Sequence, residues 1–127
     1  MKPKKMLICE PMRGKSFEKI EADRIRFTKT VDSKKYSVVG NLTPPEFIGS
    51  EDDVHKVKNG ALYCLAQSID AMSRCDVVLF RPGWERARGC QMEHEIAVEY
   101  GLDILYEDNA GKFHDNLHSF FCKGGNE

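Results

Sequence analysis

The chain reads as an α/β protein, a doubly wound parallel sheet of four to five strands in the order 2-1-3-4 with helices on both faces. Three observations predict this. Short apolar runs at Lys5–Cys9, Tyr36–Val39, Val77–Phe80 and Asp103–Tyr106 alternate with longer stretches whose apolar residues recur at helical spacing. The runs are too short for core helices, as expected of strands buried on both faces. Glu10-Pro11, Gly40-Asn41 and Pro82-Gly83 close the first three runs, because proline cannot donate to a ladder and these pairs favour turns. A strand–helix–strand alternation with right-handed crossovers then gives the 2-1-3-4 order.

Each element has its own justification. Ser16 can cap a helix running from Phe17 to about Val31, with Phe17, Ile20, Ala22, Ile25 and Phe27 on a broad apolar side. After the second strand, Thr43-Pro44-Pro45 rules out regular structure, and the stretch to about Val54 is expected to be loop. From Val57 to Arg74 the residues Ala61, Leu62, Leu65, Ile69 and Met72 keep helical spacing and lead into the third strand. The helix Gly89–Tyr100 stops at Gly101, a C-terminal cap, and delivers the fourth strand. Beyond Glu107 the turn signals Asp108-Asn109 and Ala110-Gly111 precede one short expected helix around Phe113 to Phe121. Any fifth strand would come from this tail after Gly111.

Composition narrows the function. With 127 residues, 41% hydrophobic and a net charge of -1, a single soluble domain over 1–127 is expected. Near-neutral charge lacks the basic footprint of a protein that binds duplex nucleic acid. The five cysteines (Cys9, Cys64, Cys75, Cys90 and Cys122) form an odd set without a CxxC pair. Reduced thiols in a cytoplasmic protein fit that best. The apolar part of MKPKKMLIC is too short for a signal peptide or a membrane span.

The predicted strand order puts the switch point between the first and third strands, so the loops Glu10–Lys15 and Arg81–Gly89 face one crevice at the carboxyl ends of the strands. In the first loop Pro11, Met12, Arg13, Gly14 and Lys15 precede a helix; free N–H groups, the positive helix end and two cations suit a phosphate or carboxylate. The alternative is a solvated turn. Glu10 opposes an anion there unless Arg13 or Lys15 neutralises it. The second loop adds Gly83, Trp84, Arg88 and Gly89, and its tryptophan either stacks on a flat base or closes the edge of the core.

Glu93 lies close after this loop on the apolar side of its helix, near Met92, Ile96, Ala97 and Tyr100. As a plain acid favoured by the helix dipole it would add about 0.3–1 kcal/mol. Kept ionised by the helix start and by Arg86 or Arg88, it could instead attack an electrophilic carbon. Glu85, Glu95 and Glu99 are expected in solvent, and Asp76, at the far end of the sheet, is expected to be structural. His114 and His118 are four apart, but no third ligand accompanies them, so surface histidines are expected and no metal is implied. GxGxxG, Walker A, HExxH and GxSxG patterns are all absent from the sequence.

The pairing of PMRGK after the first strand with RPGWERARGCQMEHEIAVEYGL after the third resembles the nucleoside 2-deoxyribosyltransferase-like superfamily, and within it a small bacterial and phage branch carrying a PGWExSRGxxxEH pattern. The resemblance covers roughly Lys5 to Tyr106. It implies a flavodoxin- or Rossmann-like domain, a homodimer or higher homo-oligomer, and cleavage or transfer at the N-glycosidic bond of nucleosides or their 5′-monophosphates. It assigns the nucleophile to Glu93, the phosphate-binding Arg-Gly pair to Arg13 and Gly14, and a loop glycine to Gly89. The family's orienting tyrosine falls on Leu7 and its acid on Ser68; Asp70, two residues on, would project about 200° away on a helix.

The sequence therefore predicts an N-glycosidase or nucleoside 2-deoxyribosyltransferase-like enzyme with Glu93 as nucleophile, no cofactor, and a nucleoside or nucleotide as its partner. A non-catalytic module that binds a nucleotide or nucleotide signal is the alternative, and a protein-interaction domain on the same fold is a third.

Overall fold

A computed structural model describes residues 2–12, 14–40 and 56–115. Five strands form one sheet: β1 (Lys4–Cys9), β2 (Tyr36–Val39), β3 (Val77–Phe80), β4 (Asp103–Glu107) and β5 (Phe113–His114), in the order β2-β1-β3-β4-β5. The first four are parallel, and β5 runs antiparallel to β4. The predicted order and class are met, and the fifth strand is drawn from the tail. Its residues Phe113 and His114 are strand where a short helix was expected; most of the rest of that expected helix, and the 41–55 loop, lie outside the described residues.

Helix α1 (Phe17–Thr28) covers one face of the sheet, and α2 (Gly60–Met72) and α3 (Arg88–Glu99) the other. Alternation along the strands explains the division. Met6, Ile8, Val77 and Leu79 meet Phe27 of α1, whereas Leu7, Cys9, Val78 and Phe80 meet Ala71 and Met72 of α2 and Cys90 and Ala97 of α3. All four residues of β3 are buried, as a central parallel strand requires.

Ser16 caps α1 as predicted, its Oγ accepting from the Lys19 amide at 3.1 Å. Helix α2 spans Gly60–Met72 rather than Val57 to Arg74, because Asn59, which was not foreseen, caps it by accepting from the Leu62 amide at 3.0 Å. Gly101, at φ 70°, ends α3 in the left-handed conformation that glycine adopts at least cost. Two expected apolar faces are corrected. Ile25 is 54% exposed on α1, and Leu62 and Ile69 are exposed on α2, where Met72 is buried as expected but Ser68 and Ala71 turn inward with it. Asp76 is structural: Oδ2 accepts from the Lys5 amide at 2.8 Å, tying the entrances of β1 and β3 together. Among the described residues no helix is long and apolar enough to cross a membrane.

Candidate functional site

Because β1 and β3 are adjacent and parallel, with Cys9 opposite Phe80, the loops that follow them meet over the carboxyl end of the sheet. They touch at Gly83. Its φ of 93° suits glycine, and a Cβ there would stand 3.3 Å from Pro11 Cγ, so any larger residue would be strained and would crowd the junction. Pro11 and Met12 are half-buried beside it, and Gly14 turns the chain at φ 80°. Arg13 lies outside the described residues. Lys15, the other cation of this loop, is 3.8 Å from Asp23 of α1, and that pairing competes with any anion.

Glu93 is buried at 6% exposure on the inner side of α3. Cys90 and Ala97, one turn to either side, are buried with it, whereas Tyr100, expected on the same face, is 80% exposed. Three neutral donors reach its carboxyl: the Ser68 hydroxyl from α2, the Cys9 thiol from the end of β1 and the Cys90 thiol from its own helix. Burial pushes the Glu93 pKa above the usual carboxylate range, against the pull of Ser68, Cys9, the Arg24 charge and Cys90. The expected cations are not the ones at work. Arg86 and Arg88 are exposed on the loop and first turn, and Glu93 sits in the second turn of α3, where the dipole has weakened. Arg24, from α1, is the cation that favours the charged form. Its guanidinium also donates to the carbonyls of Gly40 and Ile8, at 2.9 and 3.2 Å.

The two thiols answer to the same carboxyl. Burial, Glu93 and Cys90 hold the Cys9 thiol well above its ordinary pKa. Cys90 is pushed up to about 12 by burial, then by Glu93 and Glu10. Both are therefore protonated donors at neutral pH rather than reactive thiolates.

A second polar group occupies the α1 side of the same sheet end. Glu10, Arg81 and Glu107 form a row in which Arg81 Nη1 donates to Glu10 Oε1 at 3.0 Å and Arg81 Nε to Glu107 Oε1 at 2.8 Å. Phe27 backs the guanidinium at 4.0 Å. Glu10 was expected to oppose an anion unless Arg13 or Lys15 neutralised it; among the described residues the cation that meets it is Arg81, 71 residues away along the chain.

Trp84 is 7% exposed, its ring stacked on His94 at 4.4 Å and tilted against Phe80 at 5.2 Å. Of its two expected roles, closing the core edge describes this packing. His94 Nε2 and Tyr106 Oη lie 2.6 Å apart behind it. Gly89 is exposed in the first turn of α3 beside Arg88, and a Cβ added there would meet nothing within 4 Å. His114 is not a surface histidine: it meets Asp108 Oδ2 at 2.8 Å with both side chains nearly buried. His118 lies outside the described residues, and among those described no cluster of three or more His, Cys, Asp or Glu could hold a metal.

Ser68 was foreseen only as the position on which the family's acid falls, and Cys9, Cys90 and Arg24 were not foreseen as site residues. For two of them a signal was present: Cys90 is one turn before Glu93 on the same helix face, and Cys9 is the last residue of β1. Two concavities of about 390 and 510 Å³ flank β2, and neither is lined by Glu93 or by the loop after β3. Both border Gly40, at the end of β2. Chemistry and position at the switch point, rather than volume, mark the Glu93 cluster as the candidate site.

Residues 52–106 match a family model described as a domain of unknown function (DUF4406). The matched span contains Ser68, the loop after β3 and Glu93, but not β1 or the loop after it. No curated protein and no solved structure matches the chain.

Proposed function

We propose that the chain cleaves or transfers the N-glycosidic bond of a nucleoside or nucleoside 5′-monophosphate through a covalent glycosyl-Glu93 intermediate. One observation carries the reading: a buried carboxyl at the topological switch point, steadied by a hydroxyl and two thiols. The sequence resemblance assigns the nucleophile to that same residue. Glu93 attacks the anomeric carbon, the C–N bond breaks, and its electron pair leaves with the base. Water then hydrolyses the ester, or a second base takes the sugar, and the Glu93 carboxylate is regenerated. Ser68 stands where the family's acid is expected and orients Glu93 without supplying a proton of comparable acidity. Turnover is therefore slow and favours bases that leave with little protonation. A homo-oligomer and a phosphate seat at Arg13 and Gly14 belong to the same reading.

A non-catalytic nucleotide-binding module is the second reading. The burial of Glu93, which disfavours its charged and attacking form, is the observation on its side. Incubating the protein with a panel of nucleosides and 5′-monophosphates across pH, with chromatography of the free base, separates the two. An attacking Glu93 gives base release that falls as pH drops through a pKa above the ordinary glutamate value of about 4.3. Binding without release at every pH supports the module.

A further inference from the structure

Glu10 holds a feature that the reaction above does not use. Its side chain is 5% exposed. Oε1 is satisfied by Arg81 at 3.0 Å, but Oε2 is buried without a hydrogen-bond partner. A buried carboxylate oxygen in that condition is costly and is rarely left so without a role. Arg81 does not turn to it, because its Nε is held by Glu107 at 2.8 Å and its guanidinium plane by Phe27. The row carries two carboxylates against one cation, so an acceptor with surplus negative charge is built into the end of the sheet.

Its location ties it to the crevice. Glu10 directly precedes Pro11, whose ring meets Gly83 at the junction of the two loops. Glu10 and Glu93 lie at the same end of the sheet, Glu10 on the α1 side with Arg81 and Glu93 on the inner side of α3, and Cys90, in the first turn of α3, feels the charge of both.

We propose that Glu10 is a ligand-binding residue whose Oε2 accepts a hydrogen bond from a sugar hydroxyl of the nucleoside. This assignment rests on the nucleoside reading of the Glu93 site. A hydroxyl supplies the missing donor without bringing charge, whereas a phosphate oxygen at that point would face a carboxylate. Glu10 thus selects for a hydroxylated sugar and keeps any phosphate on the Gly14 side of the crevice.

Calorimetric binding of a nucleoside with its 2′-deoxy, 3′-deoxy and 2′,3′-dideoxy analogues, to the native protein and to Glu10→Gln, tests this. In the variant Arg81 retains the amide oxygen, which places the NH2 group where Oε2 stood and turns an acceptor into a donor. The hydroxylated ligand is expected to bind Glu10→Gln about tenfold more weakly or worse. Loss of one hydroxyl is expected to weaken native binding by a similar factor, and the analogue lacking it to bind both proteins equally. The deoxy series on the native protein needs no variant, so a destabilised Glu10→Gln does not obscure the outcome. Deoxy analogues that all bind native protein as well as the parent, or a variant that weakens every ligand alike, would overturn the assignment and leave Glu10 a partner of Arg81 only. Absence of binding by every nucleoside to the native protein would overturn the nucleoside reading itself, and this assignment with it.

Discussion

At the scale of single residues, Glu93 is placed against the interest of stability. Desolvation raises its pKa in the folded protein relative to the unfolded chain, so ionising it favours unfolding. Below the unfolded pKa both states are protonated and there is no penalty; as pH rises through the raised folded pKa, the folded state loses stability relative to the unfolded chain. Glu93→Gln, which keeps the shape and removes the charge, is therefore expected to raise Tm at pH 8, with the gain vanishing near pH 4. Thermal unfolding at the two values checks this, and an equal or lower Tm for the variant at pH 8 would show that Ser68, Cys9, Cys90 and Arg24 compensate the burial in full. A stability cost retained at one carboxyl is what a functional group in a crevice displays.

At the scale of elements, the Glu10–Arg81–Glu107 row fastens β1, β3 and β4 at the end where the site lies. Removing its cation strands two nearly buried carboxylates. Arg81→Ala is expected to cost about 3 kcal/mol in urea unfolding, the usual result of breaking a buried pair from one side. A change below about 0.5 kcal/mol, the range of ordinary surface substitutions, would place the row among surface pairs. The elements themselves were largely legible in the sequence. Pro11, Gly40 and Pro82 end strands for reasons local to each residue, and β2 runs over Tyr36–Val39 as predicted. Helical faces were less so: Leu62 and Ile69 have the right spacing, yet α2 turns Ser68 and Ala71 to the sheet. Spacing identifies a stripe, whereas the neighbouring strands decide which stripe is buried. At Phe113 and His114 pairing with the β4 edge overrode the helical reading of the tail.

At the scale of the whole molecule, the position of the site followed from topology alone, since the β2-β1-β3-β4 order forces the loops after β1 and β3 together. Its electrostatics did not. Ser68 and Cys9 reach Glu93 from other elements, and Arg81 reaches Glu10 across 71 residues; no local pattern announces such meetings. The exposed arginines nearest Glu93 in sequence therefore looked like its partners, whereas the half-buried Arg24 of α1 carries no local sign of its role. Covalent bonding of Glu93 to the sugar is tested most directly by pairing base release with binding, for native protein and Glu93→Gln, on one nucleoside that the native protein cleaves. Attack by Glu93 predicts that the variant retains binding within about threefold while base release drops by a factor on the order of 1,000 or more, the scale of losing an essential nucleophile. Base release persisting at near-native rate in a variant that binds normally would contradict it.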